Sequence, residues 1–302
     1  MAVWYAWPRH GGGGSAVALM RKRHPQNAPG DWYVDTRCID CGAARTAAPG
    51  LIVERGGQSV FARQPQTADE RMMAWRARLL CPTASVRTES HARVPDGVFP
   101  EQMTKGIYRL GYNAKSAYGA HSFAIRRAAG NVMVDGPRFT RAVVAQFENW
   151  GGLSDILLTH RDDVGDAERY GEHFAARVWI HEADRAAAPS ADCILTGREL
   201  VEIDADLTAI PVPGHTEGSV AYLYDQRCLF SGDSLAWNFE TDDLEAFRQY
   251  CWWSWSEQLQ SLKQLLNHRF EWVFAGHGGS RYLASIEMHA RLEALLERMA
   301  TT

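Results

Sequence analysis

Four short stretches carry residue types that hold metal ions, and each follows an apolar, strand-like run. They are Thr159-His-Arg-Asp-Asp-Val-Gly165, Pro213-Gly-His-Thr-Glu-Gly-Ser219, Phe230-Ser-Gly-Asp-Ser234 and Ala275-Gly-His-Gly278. His215 sits where the apolar run 207–212 breaks at Gly214 and a second run departs at Ser219. Such a histidine points into a cleft as readily as into a core. Imidazole and carboxylate donors together suit Zn²⁺, Fe²⁺ or Mn²⁺. His160, His215 and Asp233 make a two-histidine, one-carboxylate face for one ion. Asp162 and His277 are available for a second, with Asp163 as a further carboxylate. Each stretch alone is weak: a Gly-His-Gly loop needs no metal, and His160 could simply cap its strand. All of them at strand ends point to one site.

A second group is sulfur-based. Cys38-Ile-Asp-Cys41 is a C-x-x-C pair, and Cys81-Pro82 lies further on. Cys193, Cys228 and Cys251 stand alone in apolar or helical surroundings and read as small hydrophobes.

These residues need elements to position them. The segment 31–35 reads as a strand, and 51–54 and 58–63 as a hairpin over Gly56-Gly57. A helix spans 68–80 and stops at Pro82. A compact β-β-α unit of this kind brings Cys81 back beside Cys38 and Cys41. After a connector at 95–105, strands are expected at 106–111, 121–126, 131–135, 155–160, 177–181, 198–203, 207–213, 219–225, 227–231 and 272–275. Helices are expected at 139–150, 166–174, within 243–268 and at 280–299. Strands in succession with flanking helices give an α/β layered domain. Residues 1–30, with Gly11 to Gly14, read as a flexible lead-in. The expected organisation is therefore 1–30, 31–95 and 106–300.

The chain has 302 residues, 46 % of them hydrophobic, and a formal charge of −4. That is enough apolar material for a large core, and it excludes a nucleic-acid-binding charge pattern. No run of 18 apolar residues is present, so no transmembrane helix is expected. The first residues lack a basic start followed by an apolar core, so a cytoplasmic location with reduced thiols is expected. The expected partner is a small-molecule substrate, with neither nucleic acid nor membrane involved.

Asp135-Gly136, Leu157-Leu-Thr-His160, Pro213 to Ser219, Phe230 to Ser234 and Gly276-His-Gly278 resemble, in order and spacing, the metallo-β-lactamase superfamily. The resemblance implies a four-layer αββα sandwich over 106–300, with metals at one edge of the sheets and Asp233 bridging two ions. The cysteine pattern resembles the small single-cluster ferredoxin modules, an α+β fold whose pattern is C-x-x-C-x-x-C and a distant C-P. Here Ala44 replaces the third cysteine. Three thiolates at Cys38, Cys41 and Cys81 could hold a three-iron cluster, a four-iron iron–sulfur cluster with an outside ligand, zinc if a histidine joins, or nothing.

The His160 loop departs from its family. The usual T-H-x-H-x-D-H-x-G is two residues shorter here. Anchored at Thr159, His160 is the first family histidine. Anchored at Gly165, it is the second, Asp162 is the metal-binding aspartate and Asp163 replaces the last histidine. The resemblance implies a metal-dependent hydrolase in which zinc or iron activates water and Asp162 orients or deprotonates it. The Gly-His-Thr-Glu-Gly-Ser stretch is similar to glyoxalase II, which implies an ester or thioester, with a phosphodiester also open. The same His160, His215 and Asp233 face is similar to the mononuclear iron site of persulfide dioxygenases. A third reading is a non-catalytic metal-binding or sensing protein with a degraded site. His121 and His181 are expected to be structural, and Asp135 to order the His160 loop. Trp252, Trp253 and Trp255 are expected either to line a pocket or to pack a helix.

Overall fold

The computed structural model describes residues 22–301. Two β-sheets lie face to face. The first has seven strands in the spatial order Cys193–Leu195, Arg177–His181, Asp155–Leu157, Val132–Val134, Phe123–Ile125, Ile107–Arg109 and Glu101–Thr104. The second has six, in the order Val201–Asp204, Leu207–Pro211, Val220–Tyr224, Cys228–Gly232, Trp272–Ala275 and Arg281–Tyr282.

Strand alternation explains the layering. Phe123, Ile125, Val132, Val134 and Leu157 face the second sheet and meet Ala209, Val220, Tyr222, Phe230 and Phe274. Phe123 lies 5.7 Å from Phe230 and 5.2 Å from Phe274, ring centre to ring centre. The alternate residues Ala124, Met133 and Ile156 turn outward to Val143 and Phe147 of helix Arg141–Asn149 and to Ala167 and Tyr170 of helix Ala167–Phe174. Across the molecule, Ile210, Ala221, Leu223, Leu229 and Val273 meet Leu262 of helix Trp255–Gln264 and Met288 and Leu292 of helix Ser285–Thr301. Central strands apolar on both faces are what two covered faces require. The result is the αββα sandwich.

The front module has its own core. Trp32–Val34 pairs with Val86–Thr88, and Ile52–Glu54 with Ser59–Phe61, both antiparallel. Helix Ala68–Leu80 starts at a capping box between Thr67 and Glu70, which satisfies two otherwise orphaned amides. Trp32 meets Trp75 edge-on at 4.8 Å, within a cluster that holds Phe61 and Leu80.

Several expectations need correction. Of the lead-in 1–30, residues 1–21 lie outside the described residues, but 22–30 are bonded to the module. The Asn27 side chain bridges Val34 N at 3.0 Å, Val34 O at 2.8 Å and Phe61 N at 3.0 Å. The connector 95–105 contains strand Glu101–Thr104. The helix expected within 243–268 is Trp255–Gln264, but the segment opens with a strand, Asp243–Glu245, paired with Ala236–Asn238. Arg281–Tyr282 is a short strand, so the last helix starts at Ser285. These edge strands hold one or two apolar residues each. Their pairing partners create them, so no alternation announces them.

Candidate metal centre

The two sheets bring their loop-bearing ends together at one edge. Val132–Val134, Asp155–Leu157 and Arg177–His181 run parallel, as do Cys228–Gly232 and Trp272–Ala275. Asp135, Thr159 to Asp163, His215, Asp233 and His277 therefore leave from the same end. The sheets are stitched there by Val220 N to Thr159 O at 2.8 Å, Tyr222 Oη to Leu158 O at 2.9 Å and His121 N to Gly276 O at 2.7 Å.

His160, His215 and Asp233 gather as one donor group, with all ligand atoms within 4.8 Å of one another. Asp233 Oδ2 is 3.7 Å from both His160 Nε2 and His215 Nε2. Asp163, Asp233 and His277 form a second group on the same criterion, so Asp233 is shared. Asp162 is not with His277, as expected, but with the first group. Its Oδ2 lies 3.5 Å from His215 Nε2 and 4.0 Å from His160 Nε2. Asp163 is fully buried and takes the second-group position. Asp163 Oδ1 also lies 4.0 Å from His160 Nε2, so Asp163 stands between the two groups while Asp162 approaches His160 and His215.

His160 Nε2, His215 Nε2, His277 Nε2, Asp162 Oδ2 and both Asp163 oxygens are buried without a hydrogen-bond partner among the described residues. Orphaned buried polar atoms are costly. Several converging on one point fit the donor set of a divalent ion. Protein contacts prepare the histidine. Asp135 Oδ1 accepts from Thr159 N at 2.8 Å, and Thr159 Oγ1 lies 3.0 Å from Asp135 Oδ2 and 3.0 Å from His160 Nδ1. With the threonine hydroxyl donating to Asp135, it accepts from His160 Nδ1–H. That leaves Nε2 with its lone pair aimed inward, the outer-sphere arrangement metal-binding histidines use. The Asp135 contact to Thr159 N also draws the chain out of the ladder, so the strand expected over 155–160 ends at Leu157.

The electrostatics match. Burial, and then His215, lower His160 to about 4, keeping it neutral. Burial pushes Asp233 up, but His277, His160 and His215 outweigh it and hold the carboxyl well below the usual range. Burial raises Asp163 well above that range, with Asp233, Asp135 and Asp162 adding to the effect. Burial likewise lifts Asp135 to about 8. Buried carboxylates crowded this way call for a cation.

Asp184 was not visible in the sequence. From the 3₁₀ turn Glu182–Ala187, its Oδ2 accepts from Arg161 N at 3.0 Å and from Thr216 Oγ1 at 2.6 Å. It ties the His160 loop to the His215 loop. A Cβ on Gly218 would lie 2.6 Å from its carboxyl carbon, so glycine is needed there. Cys251 also serves the His215 loop, donating to Gly214 O at 3.1 Å.

His121 is buried, contacts Asn113 Nδ2 at 3.3 Å, and is depressed by burial and then by Arg109. His181 caps the 3₁₀ turn through Ala183 N and meets Gly197 O at 2.9 Å. The tryptophans divide. Trp252 and Trp253 give their amides to His215 O at 3.0 and 3.1 Å. Trp252 lines the cavity over the centre, whereas Trp255 packs on the helix core.

That cavity holds about 350 Å³. Asp162, Asp163, His215, Asp233 and His277 line its base, and residues of the front module close one side. In that module Cys38, Cys41 and Cys81 share one hydrophobic cluster with Ala44. Ser59 N approaches Cys38 Sγ at 3.4 Å and Ser85 N approaches Cys81 Sγ at 3.1 Å. Burial pushes the Cys41 thiol up to about 12. Ala44 stands at the position of the third cysteine and offers a methyl group in its place.

Residues 34–88 match the family described as the 4Fe-4S single cluster domain of Ferredoxin I. The chain is 29 % identical over 119 residues to a hydroxyacylglutathione hydrolase of Acidiphilium cryptum, covering 38 % of this chain and 49 % of that protein. It is 35 % identical over 121 residues to one from Cereibacter sphaeroides, covering 38 % and 48 %. The chain thus spans about half the length of the curated relatives it matches. Among solved structures, DIM-1 metallo-β-lactamase superposes with a TM-score of 0.50 at 16 % identity, over 66 % of this chain and 96 % of that one. TMB-1 gives 0.51 at 14 % identity, over 67 % and 97 %. At such identities the likeness is one of fold. No helix among the described residues is long and apolar enough to cross a membrane. The chain carries the metallo-β-lactamase superfamily fold, preceded by a single-cluster ferredoxin domain.

Proposed function

We propose that the chain is a metal-dependent hydrolase acting on a small ester or thioester. The supporting observation is the convergence of His215, Asp162, Asp163, Asp233 and His277 at one cavity, with His160 beside them and unpartnered buried donor atoms among them. In this reading His160, His215 and Asp233 hold one ion, and Asp163, Asp233 and His277 a second, zinc or iron being the metal. A divalent ion held there would lower the pKa of water and polarise the scissile carbonyl. Asp162, whose burial cost is outweighed by His215 and His160 so that it stays ionised, orients the attacking water and takes its proton. With only the first ion bound, His277 would instead face the developing oxyanion. The partial matches to hydroxyacylglutathione hydrolases favour a thioester.

The oxidoreductase reading uses the same His160, His215 and Asp233 face and differs in requiring iron. Cys38, Cys41 and Cys81 hold an iron–sulfur cluster in the reading that keeps the front domain functional. His215→Ala is expected to abolish hydrolysis of a generic thioester while leaving the fold intact by circular dichroism. Unchanged turnover would remove this site from the reaction.

A further inference from the structure

The cavity over the metal centre is not built by the sandwich alone. Asp40, Cys41, Gly42 and Arg45 of the ferredoxin domain form one of its sides. That side is fixed in place. The Tyr118 hydroxyl donates to Ile39 O. Gly119 lies so close that a Cβ there would stand 2.8 Å from Cys41 Sγ.

Arg45 is the cation of this wall. Its Nη1 donates to Asp40 Oδ1 and, at 2.7 Å, to Ser59 Oγ. The guanidinium is therefore held by one nitrogen, and its Nε and Nη2 make no hydrogen bond among the described residues. A planar fork anchored at one corner loses little freedom when it grips an anion with the rest. Phe247, Tyr250 and Trp252 line the same cavity and give it an aromatic surface. One cavity thus combines a cation from the front domain, an aromatic shelf and the metal ligands at its base.

We propose that Arg45 selects substrates bearing an anionic group, so that the ferredoxin domain is a specificity wall of the active site. The substrate class is an ester or thioester with an apolar or aromatic portion for the shelf and a carboxylate or phosphate-type charge for Arg45. The word substrate rests on the hydrolase reading; the anion site does not. Asp40 tempers the site, since its carboxylate competes for the same guanidinium.

The test is binding of phenylphosphonate, an aryl anion with no ester bond to cleave, to the full-length protein by isothermal titration calorimetry. Phenylacetate run in parallel distinguishes a carboxylate from a phosphate-type group, and benzyl alcohol is the neutral control. Arg45→Gln is expected to weaken the preferred anion about tenfold or more, the scale of a charge-assisted hydrogen bond, and to leave benzyl alcohol unchanged. Asp40→Asn is expected to tighten the anion several-fold. Damage to the front domain would weaken binding in both variants, so opposite signs separate recognition from structure. Unchanged anion affinity in Arg45→Gln, weaker binding in both variants, or an equal loss for benzyl alcohol overturns the proposal. A protein that binds the anion through Arg45 yet cleaves no ester would contradict the hydrolase reading alone.

Discussion

The rings of His160 and His215 stand at 89° to each other with their centres 4.6 Å apart. This edge-on arrangement aims both Nε2 atoms at the space beside Asp233 Oδ2 without letting the two imidazoles bond each other. Neither residue sets it alone. His160 is turned by Thr159 and Asp135, and His215 is held by a loop whose carbonyl takes two amides from 252 and 253.

Thr159→Val keeps the volume and removes the hydroxyl that joins His160 Nδ1 to Asp135. It should weaken the first metal ion by about 10- to 100-fold, as loss of outer-sphere partners does. Thr159→Ser should retain near-normal affinity. Competition against a chromogenic chelator measures both, and equal affinity in the valine variant would show that the threonine does not orient the ligand.

Gly276 lies against two carboxylates of the second donor group, Asp163 and Asp233. A Cβ there would lie 2.5 Å from Asp163 Oδ2 and 2.8 Å from Asp233 Oδ1. Gly276→Ala should press on both Asp163 and Asp233, lowering the content of a second ion more than that of the first, which keeps His160 and His215. Metal stoichiometry by mass spectrometry checks this. Loss of both ions together would mean that the groups are not separable.

At the far end of the sandwich, Arg127 ties the sheets by donating to Asp204 at 2.8 Å and to Asp206. The guanidinium holds Asp204 down at about 2. Its folded value is below the unfolded one of about 4. The stabilisation is therefore present above pH 4 and is lost as the pH falls towards 2. Asp206 is raised by burial and then by Asp204, which acts in the opposite direction and offsets part of the gain. Denaturant unfolding between pH 5 and 2 should fall less steeply in Asp204→Asn than in the parent protein. Parallel acid limbs would contradict this.

The sandwich was readable because its central strands are apolar runs with family-like loops behind them, and helix 68–80 because Pro82 marks its end; the capping box of Thr67 and Glu70 at its start came with the structure. The convergence of His160, His215, Asp233 and His277 was also readable, since each closes a strand. The division between Asp162 and Asp163 was not. Two adjacent carboxylates in a shortened loop offer no periodicity, and only the backbone turn separates them. Asp184 was invisible for another reason: nothing in Glu182-Ala-Asp184 marks it as buried until the His215 loop folds over it. The ordered stretch 22–30 depends on Asn27 finding Val34 and Phe61, a tertiary event that composition does not signal. Arg45 lies far in sequence from the residues it faces across the cavity, so its place came only with the docking of the two domains.

The central claim is that these side chains form a metal centre that does chemistry. Metal analysis of the purified protein, before and after chelation, paired with thioester turnover, addresses it most directly. The account predicts at least one zinc or iron per chain, loss of turnover on chelation, recovery on adding the metal back, and neither metal nor turnover in His215→Ala. A protein that holds no metal after purification, and takes up neither Zn²⁺ nor Fe²⁺ when offered them, would contradict it.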